Sequence, residues 1–224
     1  MAASGKPRTV LLTGASSGIG KAVATKLCAA GFQVWGTARD AARVPQIDGL
    51  HAVALDLCDP GSLERAVDQV EAESCGIDIL INNAGNGLFG PTALFQSDEL
   101  ENQFRTLVSG PFRLATLCLP KMQMRGSGII LNVTSVGAQF PIPFLGPYSA
   151  CKAALSMLTD SLAVECRGRS VAFIDLRPGD IRTDFNSAIG KVSIPPDSDW
   201  EKPTEEGWKI LEKEIQQGPP PEVV

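Results

Sequence analysis

Thr13-Gly14-Ala15-Ser16-Ser17-Gly18-Ile19-Gly20, or T-G-A-S-S-G-I-G, directly follows the apolar run R-T-V-L-L-T of residues 8–13 and opens a helix-forming stretch over residues 18–30. Glycines placed this way let the chain turn tightly after a strand and let a ligand approach the helix start. A helix N-terminus carries N–H groups without intrahelical partners and a partial positive charge. Gly14, Ser16, Ser17, Gly18, Ile19 and Gly20 therefore form a candidate pyrophosphate cradle, the arrangement that dinucleotides use. A phosphate-loop ATPase is excluded. Ala15 stands where that loop needs its first glycine, and Lys21 is followed by Ala22 where Ser or Thr is required. The plainer alternative is a tight strand-to-helix turn with no ligand.

Outward from this turn, short apolar runs alternate with longer amphipathic stretches. Strands are expected at 8–13, 33–37, 51–55, 77–82, 128–134 and 171–176, and helices at 18–30, from Asp59-Pro60 onward, at 97–124, 148–166 and 201–216. Such alternation specifies an α/β chain: a Rossmann-like, doubly wound parallel sheet with helices on both faces, in three layers α/β/α. Gly31 falls where a helix terminates, and Asp59 with Pro60 supplies a cap and a first-turn proline. With 224 residues, 44% of them hydrophobic, one core suffices. Residues 1–224 are read as one dinucleotide-binding domain, with the polar, proline-containing segment 185–217 as a substrate loop or lid. The ending G-P-P-P-E-V-V has the look of a helix start, so a terminal helix and strand are expected beyond it.

The net charge of −5 and the absence of any basic run argue against a nucleic-acid partner. Six cysteines without a C-x-x-C pair, beside the single His51, leave no metal constellation and fit reduced thiols in a cytoplasmic protein. M-A-A-S-G-K-P-R lacks the apolar core of a secretion signal. The uncharged run 126–151 contains four glycines, three prolines, Asn132 and Gln139, which suits a buried strand and loop and not an integral membrane segment.

In dinucleotide folds the end of the second strand selects the cofactor: a carboxylate there binds the ribose 2′-hydroxyl, an arginine a 2′-phosphate. Here Gly36-Thr37-Ala38 leads to Arg39, so NADP(H) is favoured over NAD(H), with Asp40 one residue later as the competing signal. Asp56 and Leu57, past the third strand, belong at the adenine edge. Asn83, Ala84 and Gly85, in N-N-A-G past the fourth, fall at the carboxyl end of the sheet, where open α/β sheets bind ligands.

Tyr148 and Lys152, in Y-S-A-C-K, share a helix face four residues apart. A tyrosine with a pKa near ~10 is a poor acid–base group at neutral pH. An ammonium about 4 Å away, at an effective dielectric near 20, contributes about 4 kcal/mol toward the phenolate, equivalent to about three pKa units. Ser135, at the end of the fifth strand, is placed to hydrogen-bond the oxygen that the tyrosine would protonate. Taken alone, the same residues also read as an ordinary buried tyrosine, a surface lysine and a strand-end serine.

The set T-G-x-x-x-G-x-G, N-N-A-G, Ser135 and Tyr148-x-x-x-Lys152, followed by R-P-G-D-I-R-T from Arg177 to Thr183, resembles the short-chain dehydrogenase/reductase family over residues 8–185. The resemblance implies NAD(P)-dependent interconversion of alcohols and carbonyls, in a homodimer or homotetramer built from the two long helices. It assigns Tyr148 as general acid/base, Lys152 to lowering the tyrosine pKa and binding the nicotinamide ribose, and Ser135 to orienting the substrate. Pro178, Gly179, Ile181 and Thr183 would flank the nicotinamide. The stretch from Tyr148 to Glu165 looks most like the branch acting on steroids, retinoids and acyl-glycerone phosphates.

One position departs from the family. Leu107 replaces its catalytic asparagine, three residues before Gly110. Pro111 has no N–H for the Leu107 carbonyl, which is thereby freed to hold the water that the family places at this kink. Phe140-Pro141-Ile142-Pro143-Phe144-Leu145, together with Leu88, Phe89 and Phe185, suggest an apolar carbonyl or alcohol as substrate. Loop packing or a subunit contact accounts for the same residues equally well. Two further readings stand beside the oxidoreductase: an NADP(H)-binding sensor or scaffold that has lost turnover, and a sugar-nucleotide epimerase or dehydratase. The glycine spacing and the absence of a sizeable second domain disfavour the last.

Overall fold

The computed structural model describes residues 6–183 and 189–224. Strands β1 (Thr9–Leu12), β2 (Gln33–Ala38), β3 (Leu50–Ala54), β4 (Ile79–Asn82), β6 (Gly128–Val133) and β7 (Val171–Leu176) form a six-stranded sheet in the order β3-β2-β1-β4-β6-β7. Every pairing is parallel. The strand order reverses at β1 and β4, so their carboxyl ends diverge into a crevice. The glycine turn leaves β1 at that crevice.

Val10, Leu11 and Leu12 are fully buried because helices cover both faces of β1. On one face, α2 (Pro60–Glu73) and α4 (Gly110–Arg125) pack Leu63, Val67, Leu114 and Met122 against Leu11, Trp35, Leu80 and Ile130. On the other, α1 (Gly18–Ala29) packs Ala24 against Val10, Leu12 and Ile81. Asp59 caps α2 by accepting the Gly61 N–H at 2.9 Å, as the sequence predicts. Gly31, at φ +85, ends α1 in the left-handed conformation.

The long helix expected over 97–124 is interrupted. It runs as α3 (Ser97–Phe104), a π-turn over Arg105–Ser109, and α4. Within that turn the Gly110 N–H reaches back to the Arg105 carbonyl, and Pro111 has no N–H to offer Thr106 or Leu107. The expected kink is therefore a one-residue bulge.

α5 (Gly146–Glu165) begins two residues before Tyr148. A small second sheet joins β5 (Leu88–Phe89) to β8 (Gly190–Lys191), and α6 (Glu201–Gln217) follows. α6 docks through Trp208 and Leu211 on a cluster of Phe89, Phe144, Leu145 and Ile189. The tail forms a 3-10 turn at Pro221–Val223, tied to α1 by Lys26 Nζ and the Glu222 carbonyl. No described helix is long and apolar enough to cross a membrane.

Candidate active site

The carboxyl ends of the sheet strands open into one cleft of about 780 Å³. At its phosphate end, Gly14 sits at φ +72, and a Cβ there would lie 2.8 Å from Ala84 Cα. A Cβ on Gly20 would overlap the Gly14 carbonyl oxygen and come within 2.6 Å of Asn83 Nδ2. Only hydrogen at these positions lets α1 start this close to the β1 turn. Ser17 makes no side-chain cap and the first turn of α1 holds no acidic residue. The N–H groups of Ile19 and Gly20 thus face the cleft with the helix dipole uncompensated, which is the requirement for a pyrophosphate. Thr13 fastens the cradle to the fourth-strand loop: its Oγ1 accepts the N–H groups of Asn83 at 2.9 Å and Ala84 at 3.0 Å. Nothing in the sequence signals this bond, since threonine at a strand end is common.

Arg39 lines the cleft at the end of β2, exposed. Asp40 is turned away, its Oδ1 accepting the Ala42 N–H at 3.0 Å. Arg43, overlooked from sequence, lines the same wall one loop turn later. Among the described residues neither arginine pairs with a carboxylate. Asp56 and Leu57 form the adjoining edge, the Asp56 carboxylate accepting the Cys58 N–H at 2.9 Å.

Ser135, Tyr148 and Lys152 meet at the opposite end. Ser135 Oγ accepts the Gly137 N–H at 3.0 Å and is hydrogen-bonded to the Tyr148 hydroxyl. Lys152 is 5% exposed; its Nζ donates to the Val133 carbonyl at 2.7 Å and lies 5.6 Å from the Tyr148 ring centre. Burial lowers the ammonium to about 8, against the opposing influence of Cys151 and Asp175. The tyrosine corrects the sequence expectation. Burial raises its pKa, and the Ser135 hydrogen bond only partly opposes that. The expectation that the lysine four residues away governs the phenol is not met: desolvation is the largest influence and the Ser135 bond the one opposing it.

Gly85, Pro178, Gly179, Ile181 and Thr183 complete the walls between the two ends. A Cβ on Gly85 would lie 3.1 Å from Leu107 Cδ2 and 3.8 Å from Lys152 Nζ, so the leucine and the ammonium both approach Gly85. Leu107 is 1% exposed. Of the apolar loop, Ile142 and Leu145 line the cleft, joined by Leu211 and Ile215 of α6. Phe140 points to solvent at 68% exposure, while Phe89 and Phe144 pack each other at 5.4 Å. Phe185 lies outside the described residues.

The short chain dehydrogenase profile matches residues 8–192. A 3-ketodihydrosphingosine reductase of Bacteroides thetaiotaomicron is 33% identical over 215 residues, covering 95% of this chain and 79% of that protein. The crystal structure of 3-ketoacyl-(acyl-carrier-protein) reductase from Brucella melitensis with NADH superposes with a TM-score of 0.78 at 28% identity, covering 81% of this chain and 79% of that one. That of gluconate 5-dehydrogenase from Burkholderia cenocepacia, with NADP and tartrate, gives 0.76 at 30% identity, over 81% and 74%. With the glycine cradle, the parallel sheet and the cleft all in place, the chain belongs to the short-chain dehydrogenase/reductase family.

Proposed function

We propose that this oxidoreductase uses NADP(H) to interconvert an apolar carbonyl and its secondary alcohol, with Tyr148 as general acid/base. The meeting of Ser135, Tyr148 and buried Lys152 at one end of the cleft, opposite the uncapped start of α1, is the observation that carries this reading. A bound nicotinamide supplies the hydride that no side chain can. Tyr148, its pKa raised by burial, holds a proton at neutral pH and gives it to the carbonyl oxygen that Ser135 orients. Lys152, cationic below about 8, stabilises the phenolate left behind and holds the ribose. Ile142, Leu145, Leu211 and Ile215 surround the reacting end with apolar surface, and the described residues 189–217, which carry the last two, serve as the lid. Phe112, Met157 and Val164, exposed on α4 and α5, support pairing of two copies through those helices. The test follows NADPH absorbance against apolar ketones and aldehydes. Consumption supports the reductase, and silence across a broad panel despite NADPH binding removes it.

Arg39 and Arg43, unpaired at the cleft, with Asp40 engaged in its own loop, support NADP(H) over NAD(H). Arg39→Ala is expected to weaken NADPH binding about 10- to 100-fold, the worth of a charge-assisted hydrogen bond of about 1.5–3 kcal/mol. NADH binding should hold within about twofold. Equal loss for both cofactors would place Arg39 away from the 2′-phosphate.

A second reading, an NADP(H)-binding sensor with weak or no turnover, is favoured by Leu107, which puts methyl groups against Gly85 where the family has an amide. In the oxidoreductase reading a carbonyl freed by Pro111 serves instead, so Leu107→Asn should change kcat by less than about tenfold. A rise of several orders of magnitude would favour the sensor.

A further inference from the structure

Asp175, near the end of β7, carries a carboxylate only 7% exposed and lies outside the cleft lining. Its Oδ1 accepts the Thr134 hydroxyl, and its Oδ2 accepts Ser156 Oγ and Arg177 Nε, each at 2.7 Å. A second Arg177 nitrogen donates to Ser156 Oγ at 2.9 Å, and Asp160 stands 3.8 Å off as its outer partner. Each partner adjoins a site residue: Thr134 precedes Ser135, Ser156 lies one turn beyond Lys152, and Arg177 precedes Pro178 and Gly179. One buried anion thus ties together three elements that each present a functional group.

We propose that Asp175 is a positioning residue for the reaction at Tyr148: it fixes β6, α5 and the Pro178 loop in one mutual register and sets a permanent negative charge behind the Lys152 ammonium. The proposal rests on the oxidoreductase reading above. Neutral groups would satisfy the two hydroxyls, but the Arg177 guanidinium at 2.7 Å requires a carboxylate, and that same charge acts on Lys152. Burial raises the Asp175 carboxyl, but the bonds from Thr134, Ser156 and Arg177 and the charge of Arg177 outweigh it and hold the group below its usual range. It is ionised whenever the protein is folded near neutrality. Around Lys152 stand Tyr148 and Cys151 of α5, the Val133 carbonyl of β6 and the Gly85 backbone, with Asp175 behind them paired to Arg177. Burial lowers the Lys152 ammonium to about 8 while Cys151 and Asp175 oppose. Burial also pushes the Cys151 thiol to about 12, so it stays neutral. Asp175, its charge shared with Arg177, is left as the anion that opposes the loss of the Lys152 proton.

The test compares Asp175→Asn, Asp175→Glu and Ser156→Ala with wild type, in NADPH affinity and in reduction rate from neutral to alkaline pH. Lys152 loses its proton as pH rises through about 8, so both quantities should fall there in the wild type. In Asp175→Asn the midpoint should move lower by about one pH unit, as loss of a nearby opposite charge demands. Asp175→Glu keeps the charge and should keep the midpoint. Ser156→Ala removes two hydrogen bonds, the one given to Asp175 and the one taken from Arg177, but no charge, so kcat should fall about tenfold with NADPH affinity and midpoint unchanged. A uniform rate loss in Asp175→Asn at every pH, its midpoint unmoved, overturns the electrostatic role. If Asp175→Asn does not fold, Ser156→Ala decides, and an unaltered kcat overturns the proposal. Because affinity needs no turnover, a wild type that binds no NADPH removes the underlying reading, and the proposal with it, whereas normal binding with coincident midpoints removes the proposal alone.

Discussion

Tyr148→Phe is expected to lower kcat by about 10² to 10⁴ while leaving NADPH affinity within about twofold of wild type. The exchange removes one oxygen from a ring held among Ser135, Lys152 and the Phe89–Leu145 cluster. Packing is retained, so stability should change by only about 1 kcal/mol, the net worth of the Ser135 hydrogen bond. Without the phenol, the described cleft has no comparable acid at the carbonyl: the Ser135 hydroxyl can hydrogen-bond the oxygen but is far too weak an acid to protonate it, and the Lys152 ammonium is held on the Val133 carbonyl. The loss should appear at every pH. In wild type, reduction should decline as pH rises through about 8, where Lys152 loses its proton and no longer stabilises the phenolate. Tyrosine and lysine are close enough to titrate as a pair, so the midpoint belongs to both. A variant retaining more than about a tenth of wild-type kcat would show that another group carries the proton. Rate measurements with saturating NADPH, paired with fluorescence titrations, separate chemistry from binding.

Gly20→Ala should abolish useful cofactor binding by a different route. The added methyl overlaps the Gly14 carbonyl and lies 2.6 Å from Asn83 Nδ2. Neither can yield cheaply, because Gly14 is backbone and Asn83 Nδ2 is itself bound to the Thr13 carbonyl at 3.0 Å. The start of α1 must move off the β1 turn, costing about 1–3 kcal/mol of stability as overpacking does. The N–H groups aimed at the pyrophosphate move with it. Losing two charge-assisted bonds of about 1.5–3 kcal/mol each weakens NADPH by at least about 10²-fold. Thermal melts with and without NADPH check this: saturating cofactor should raise the wild-type Tm and leave that of Gly20→Ala where it was. A variant stabilised by NADPH as strongly as wild type would show that Gly20 has no part in the cradle.

The fold was readable because its signals are local. An apolar run, a glycine turn and an amphipathic stretch recur in order, and β7 occupies the 171–176 that its β-branched and aromatic residues predict. The candidate site was legible for the same reason, since each of its residues proposed for the chemistry stands at a strand end or near a helix start. What the sequence did not yield is tertiary. The π-turn at Arg105–Ser109 looks like ordinary helix, and only Pro111 hints at the irregularity. Arg43, Leu211 and Ile215 reach the cleft through packing that no spacing encodes. Tyr148 was assigned a lowered pKa from its neighbour in sequence, but its desolvation depends on the elements folded over it. Asp175, Thr134, Ser156 and Arg177 are scattered polar residues until β6, β7 and α5 bring them together. Phe140 shows the converse, an apolar residue in the expected loop that turns to solvent.

Hydride transfer itself is the most direct measurement. Wild-type protein is supplied with NADPH deuterated at the transferring carbon and with apolar ketones, and each alcohol product is examined by mass spectrometry. The predicted result is one deuterium at the carbinol carbon in wild type and, over the same time, at least about a hundredfold less of that product from Tyr148→Phe. Tight NADPH binding without a deuterated alcohol from any ketone or aldehyde would contradict a reductase, and would leave a cofactor-binding protein on the same fold.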